Sequence, residues 1–296
     1  MPLIQDLLNE IDSAVVDFEK VIPSIEKEVA GELARLFAEL DTRGGFLKPT
    51  VKNLRTVQRL KNKIKAAIVN KSYTTNVGGL LKSFSTVSGI QDQYFSTLTT
   101  TFKKSAVLKE VEKLARLNTI ESLTGAGIES QMVEQILDKA LNNVKSASSF
   151  ANLRDELDFF IKGNAEFPGK LQAYSGLIVR DSINQFSASY SETVAADLGL
   201  KWFQYVGSTV SDSREWCVQM VKKKYIHESE LPKLITGPVN GVSIPKYDKT
   251  GLPQGMIAGT NAQNVKIRRG GWNCMHQLIP VATSSVPKSV RDKIVN

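Results

Sequence analysis

Over the first 29 residues the apolar positions recur at Ile4, Leu8, Ile11, Val15, Phe18, Ile22, Ile25 and Val29, a strict alternation of fours and threes. This is the heptad seam of a coiled coil or helical hairpin, and it commits the N-terminus to long amphipathic helices. Beyond Val29 the spacing runs through Leu33, Leu36 and Leu40, so two fours adjoin and the seam shifts. Pro23 predicts a restart near Ser24, and Arg43-Gly44-Gly45 a stop. Helical spacing then predicts a helix over about 48–71, with Val51, Leu54, Val57, Ile64 and Ile68 on one face. It also predicts helical structure in the Ser/Thr/Gly-rich stretch 72–101, and further helices over about 105–117, 130–145 and 152–162. Gly125-Ala126-Gly127 reads as a turn. Pro168 as first helical residue and Gly199 just past the last bracket a long helix.

At residue 201 the texture changes. Trp202 to Gly207 reads as a strand ending in a turn. Residues 232–271 carry one turn signal after another: Pro232, Gly237-Pro238, Asn240-Gly241, Pro245 and Gly251-Leu252-Pro253. Val265–Arg269 and Gln277–Val281 read as short closing strands, and the tail from Ser284 as a surface extension. The expected class is therefore α+β: a mainly α-helical N-terminal two-thirds followed by a small α+β C-terminal module. The corresponding division is a helical region 1–165 and a region 166–296 holding the long helix, the module and the tail. No window approaches ~18 consecutive apolar residues, which argues against a membrane span. Residues 1–10 do not look like a secretory signal, so the expected compartment is a cytoplasm or something assembled there.

Charge is unevenly placed. Residues 1–42 are net −7, 43–109 net +12, 110–200 net −5 and 201–296 net +8. A basic block of that size suits a polyanion, or an acidic surface of the same chain against which Lys52, Arg59 and Lys63 would lie. In the C-terminal region, Lys222-Lys223-Lys224-Tyr225 and Lys266-Ile267-Arg268-Arg269 are candidate phosphate contacts of the sequence-independent kind. No pattern for reading bases accompanies them.

The chain has two cysteines and two histidines, and all four fall in its last third: Cys217, His227, Cys274 and His276. Thiolates and imidazoles are what tetrahedral zinc takes, so the four form a candidate ligand set. Two other readings stay open. The cysteines can be small buried hydrophobes, with His276 bonded to the Asn273 loop, or they can pair as a disulfide. Asp212 is placed to cap the helix that follows it, and Arg214 to bridge a carboxylate or phosphate. A Cys–His nucleophile can be drawn from these residues, but no hydrolase, zinc-protease, phosphate-loop or dinucleotide fingerprint supports one.

Two segments carry a resemblance. The first runs Tyr205-Val-Gly-Ser-Thr-Val-Ser-Asp212-Ser-Arg214-Glu-Trp-Cys217. The second runs Gly270-Gly271-Trp-Asn273-Cys274-Met275-His276-Gln-Leu-Ile-Pro280-Val281. In that order they resemble the C-terminal core of the phage Mu F-like head-morphogenesis family, in which a D-x-R-x-x-C element is followed at a distance by a G-G-x-N-C-R-H-x-x-x-P-V-type element. The resemblance covers about residues 195–282. It matches Asp212, Arg214, Cys217, Gly270, Gly271, Asn273, Cys274, His276 and Pro280. Met275 departs from it, standing where the family has an Arg, whose anion-binding role would then fall to Arg268 or Arg269. The resemblance implies a non-enzymatic minor head protein of a tailed phage, assembled in the host cytoplasm and housed in the virion interior. Its implied work is capsid assembly, DNA packaging or DNA ejection. The implied partners are the portal protein or inner capsid surface, packaged double-stranded DNA, and another copy through the N-terminal helices. Two other classes remain open: a virion-borne enzyme or toxin using the Cys/His module, and a plain non-specific nucleic-acid-binding protein.

Overall fold

A computed structural model describes residues 2–295. In chain order its elements begin with helices α1 (Pro2–Glu19) and α2 (Ile22–Glu39), the strands β1 (Thr42–Arg43) and β2 (Phe46–Leu47), and helices α3 (Val51–Ile68), α4 (Lys71–Leu98) and α5 (Ala106–Thr124). Then come α6 (Ala126–Ile128), a π-helical turn (Glu129–Val133), α7 (Glu134–Lys145), α8 (Phe150–Lys162) and α9 (Lys170–Leu198). The C-terminal part holds β3 (Trp202–Val206), α10 (Glu215–Lys223), β4 (Tyr225–His227), α11 (Leu231–Thr236), β5 (Lys246–Tyr247), β6 (Leu252–Pro253), α12 (Val265–Arg268), β7 (Gln277–Val281) and α13 (Lys288–Val295). The expected α+β class, mainly helical with small antiparallel sheets near the C-terminus, is what the chain adopts. Among the described residues no helix is long and apolar enough to cross a membrane.

The chain forms two compact units that alternate along the sequence, where a single division near residue 165 was expected. One comprises Ser13–Lys82 and Leu117–Val179; the other comprises Met1–Asp12, Ser83–Arg116 and Arg180–Asn296. In the first unit, α2, α3, α7 and α8 pack through apolar stripes, of which those of α2 and α3 were expected from the sequence. Ile25, Val29, Val57, Ile64, Ile136, Ala140, Leu153 and Leu157 are all buried. The heptad seam from Val15 to Leu36 is buried within the chain, so it is not free to pair with another copy as expected. Pro23 sits in the first turn of α2, where its missing N–H is not needed, and the break falls just before it. Arg43-Gly44-Gly45 is the turn of the β1–β2 hairpin rather than the end of a helix. Asn53, buried at the start of α3, accepts from the Asp41 backbone and donates to the carbonyls of Asp41 and Lys48, tying that hairpin down. The basic face of α3 is partly answered inside the same unit. Lys61 and Lys65 each reach Glu129 at 2.7 Å, and the two cations hold its carboxyl down at about 2. Lys52 pairs with Asp41 at 2.8 Å.

The second unit carries the module. Its helical part is built on Phe84, Phe95, Phe186 and Tyr190, with Gln91 bonded to Ser187 and Ser191. Its sheet is antiparallel in the order β4–β3–β7, with Trp202 opposite both His227 and Val281, and Tyr205 opposite Leu278. Strand alternation sends Phe203 and Tyr205 to one face, into a core with Trp216, Met220, Ile226 and Leu278. Trp202 goes to the other face, where it meets Val281 and Val286. Three local expectations are corrected here. Val265–Arg268 is a helical turn rather than a strand: Asn261 Oδ1 accepts from the backbone of Gln263 and Asn264, winding the chain before Val265 N bonds back to Asn261 O. The tail is no loose extension, because Val286 is buried and Val290 and Ile294 of α13 cover Trp202 and Val281. Pro168 precedes the long helix by two residues, and Ala173 N bonds back to Gly169 O.

Candidate metal centre

Each ligand-type side chain is delivered by a different local device. Cys217 lies in the first turn of α10, which is anchored by a hydrogen bond from Trp216 Nε1 to Leu234 O at 2.9 Å. Cys274 and His276 lie on the hook that leads into β7, and Tyr205 reaches in from β3. The two sulfurs and one imidazole nitrogen lie within 4.8 Å of one another, and all three residues are at most 4 % exposed. This buried Cys217–Cys274–His276 group could hold a metal ion. Tyr205 Oη donates to Cys217 Sγ at 3.4 Å and lies 3.8 Å from Cys274 Sγ; Cys274 Sγ is 3.8 Å from His276 Nδ1. The Tyr205 and His276 rings stack at 5.2 Å and 19°. Both cysteines are free thiols.

The surroundings fit a metal. A buried imidazole ordinarily bonds through both ring nitrogens. His276 Nδ1 meets only the Cys274 sulfur, which leaves its lone pair for a cation. Gly270 leaves the space: a Cβ there would overlap Cys217 Sγ and sit 3.3 Å from Cys274 Sγ. The thiols behave as a pair. The hydrogen bond from Cys217, helped by His276 and Arg269, holds the Cys274 thiol low against its burial; that same bond and burial push Cys217 up. A thiol held low by its neighbours is the kind of donor that a thiophilic cation takes.

The two segments read from the sequence meet at this centre. Arg214 Nη2 donates to Trp272 O at 2.7 Å, so it joins the first segment to the second through a backbone carbonyl rather than bridging a carboxylate or phosphate as expected. Asp212 is exposed and does not cap α10, whose N-cap residue is Arg214. Asn273, at φ +60°, receives Arg180 Nη1 on its side chain at 3.0 Å and donates its backbone N–H to Asp181 at 2.8 Å. Pro280 accepts Tyr94 Oη on its carbonyl at 2.7 Å. Gly271 has φ +105°, and a Cβ there would overlap the Gly255 carbonyl oxygen, so no other residue fits the hook at that point.

His227 is not part of the group. It faces Trp202 across β3–β4, on the sheet face opposite Tyr205, and its Nδ1 bonds Ser229 at 2.8 Å. The four-residue ligand set is thereby corrected to three. The basic candidates divide similarly. Lys223 pairs with Glu230 at 2.7 Å, Lys266 pairs with Glu192 and lies 5.0 Å over the Phe203 ring, and Arg269 is 1 % exposed with Nη1 on Asn184 O. Burial withdraws Arg269 from any surface contact, while Lys223 and Lys266 already face a carboxylate of the same chain. Lys222 and Lys224 are exposed, and Arg268 is half-buried on Ala258 O. Arg269 is thus not free to take the anion-binding role expected of it.

Asp181, Arg180, Asn184 and Gln277 had no motif to mark them, yet they fix the hook. Burial pushes the Asp181 carboxyl up to about 6, against the Asn273 N–H and the nearby Arg269. An aspartate in an unfolded chain titrates near ~3.9. The folded value is the higher one, so this group's contribution to stability is complete below about pH 4 and is lost as pH rises to about 6. Asp181→Asn keeps the acceptor and removes the charge. It is expected to melt above the wild type at pH 8, with the difference shrinking toward pH 4.5; a wild type that is the more stable at pH 8 contradicts this.

Compared with known proteins, the chain matches no protein-family model, no curated protein and no solved structure.

Proposed function

We propose that this chain is a minor head component of a tailed phage, resident in the virion interior, whose C-terminal module is held together by a structural zinc ion on Cys217, Cys274 and His276. The observation that carries the reading is the meeting of the two sequence segments. A resemblance resting on an Asp-x-Arg-x-x-Cys element and a Gly-Gly-x-Asn-Cys-x-His element gains support when Arg214 grips Trp272 and the cysteines of both elements share one buried cluster. Zinc suits two thiolates and an imidazole; hard cations prefer oxygen donors. Burial of both sulfurs favours a holding role over nucleophilic attack on a substrate, for which the thiol must be reached.

In this reading the module is a rigid piece displayed near the portal or inner shell, and DNA contact is limited to the cations left free. Among the cations singled out in the sequence, Lys222 and Lys224 are the exposed pair. Two such residues give a weak, salt-sensitive and sequence-independent contact. The test is protein mass spectrometry of purified phage particles encoding this chain. The expected result is a few copies per particle that stay with the portal fraction on disruption. Particles that lack the chain overturn the proposal.

A further inference from the structure

The three ligand atoms leave one vertex of a tetrahedron to be filled. With zinc–sulfur bonds of about 2.3 Å and zinc–nitrogen or zinc–oxygen bonds of about 2.0–2.1 Å, the edges of a tetrahedral centre are about 3.5 Å between sulfur and nitrogen or oxygen. Between two sulfurs they are about 3.8 Å. The Tyr205 hydroxyl lies 3.4 Å from one sulfur and 3.8 Å from the other, and Cys274 Sγ lies 3.8 Å from His276 Nδ1. These three separations lie within about 0.3 Å of the edges of one coordination shell. A hydroxyl donating to a single thiolate from outside the shell would sit beyond that sulfur and away from the other; this one reaches both.

From this geometry we infer that Tyr205 is the fourth ligand, its phenolate oxygen closing a two-thiolate, one-imidazole, one-phenolate zinc site with no position left for water. The inference rests on the zinc reading above and deepens it. Binding forms two Zn–S bonds, one Zn–N bond and one Zn–O bond; the phenol proton and the thiol protons leave to solvent, and no electrons are transferred. The centre then carries one net negative charge. Its surroundings answer that charge: Arg180, Arg214 and Arg269 act electrostatically on this cluster and on Asp181, three guanidinium groups against one carboxylate. A buried Arg269 with only a carbonyl acceptor and an unpartnered Nε would otherwise be a costly feature.

The test uses the full chain, reduced and stripped with chelator, titrated with zinc alongside Tyr205→Phe. Expected in the wild type is the red-shifted ultraviolet absorption of an ionised tyrosine, growing until one zinc is bound. Calorimetry in two buffers of different ionisation enthalpy should show one more proton released than in Tyr205→Phe, whose affinity falls by about tenfold or more. If both proteins bind one zinc with equal proton release and no tyrosinate signal, Tyr205 is only a hydrogen-bond donor; the inference falls and the zinc reading stands. If the wild type binds no zinc, both fall. Should Tyr205→Phe fail to fold, the wild-type absorption alone decides.

Discussion

Gly270→Ala is expected to abolish metal binding and to destabilise the module by about 3 kcal/mol, at or above the upper end of what overpacking a core costs. The added Cβ would overlap Cys217 Sγ and crowd Cys274 Sγ at 3.3 Å, and neither sulfur has anywhere to go. Cys217 is fixed by the first turn of α10 and the Trp216 anchor, and Cys274 by the Asn273 hook. The change thus strikes the geometry of the site without touching a ligand. Gly31→Ala is the matched control: its Cβ would meet nothing within 4 Å, and in α2 it should be neutral or stabilising by about 0.5–1 kcal/mol. Denaturant titration of both variants, with bound zinc measured in parallel, gives the comparison. A Gly270→Ala protein that binds zinc as the wild type does contradicts the site described here.

The second large effect is linkage between zinc and folding. A ligand that binds only the folded chain stabilises it by about 4 kcal/mol when present at a thousandfold its dissociation constant. Zinc should therefore raise the melting temperature of the stripped wild type by several degrees. Cys217→Ser, Cys274→Ser and His276→Ala should each lose most of that increment. His227→Ala should keep all of it, because that ring bonds Ser229 on the far side of the sheet. If His227→Ala loses the increment too, the three-residue group is not the site. If none of the four variants changes it, zinc is binding elsewhere.

The parts of this architecture that could be read from sequence are those set by periodicity. The 4–3 alternation from Ile4 to Val29 marked α1 and α2, because it repeats often enough to be told from chance, and the aromatic-rich run Trp202–Val206 ending at Gly207 marked β3. Val265-Lys-Ile-Arg alternates like a strand over only four residues, too few to distinguish two from 3.6, and a turn set by Asn261 decided it. Shared composition brought His227 into the ligand set, but the register of β3 with β4 put it on the wrong face. That pairing joins residues more than twenty positions apart and follows from tertiary packing alone. Tyr205 stood at the head of the first segment as a strand residue; its place beside both sulfurs needed β3, α10 and the hook to be assembled. The buried network of Asp181, Asn184 and Arg269 was invisible for the same reason, and Arg269 read as a free cation because charge in a sequence carries no sign of burial.

Native mass spectrometry of the purified full chain, recorded before and after chelation, tests the central claim most directly. The proposed zinc site predicts one zinc ion per chain, removed by chelator and absent from Cys274→Ser. A protein that carries no metal when purified in zinc-containing medium, or one whose metal survives the loss of Cys274, would contradict it.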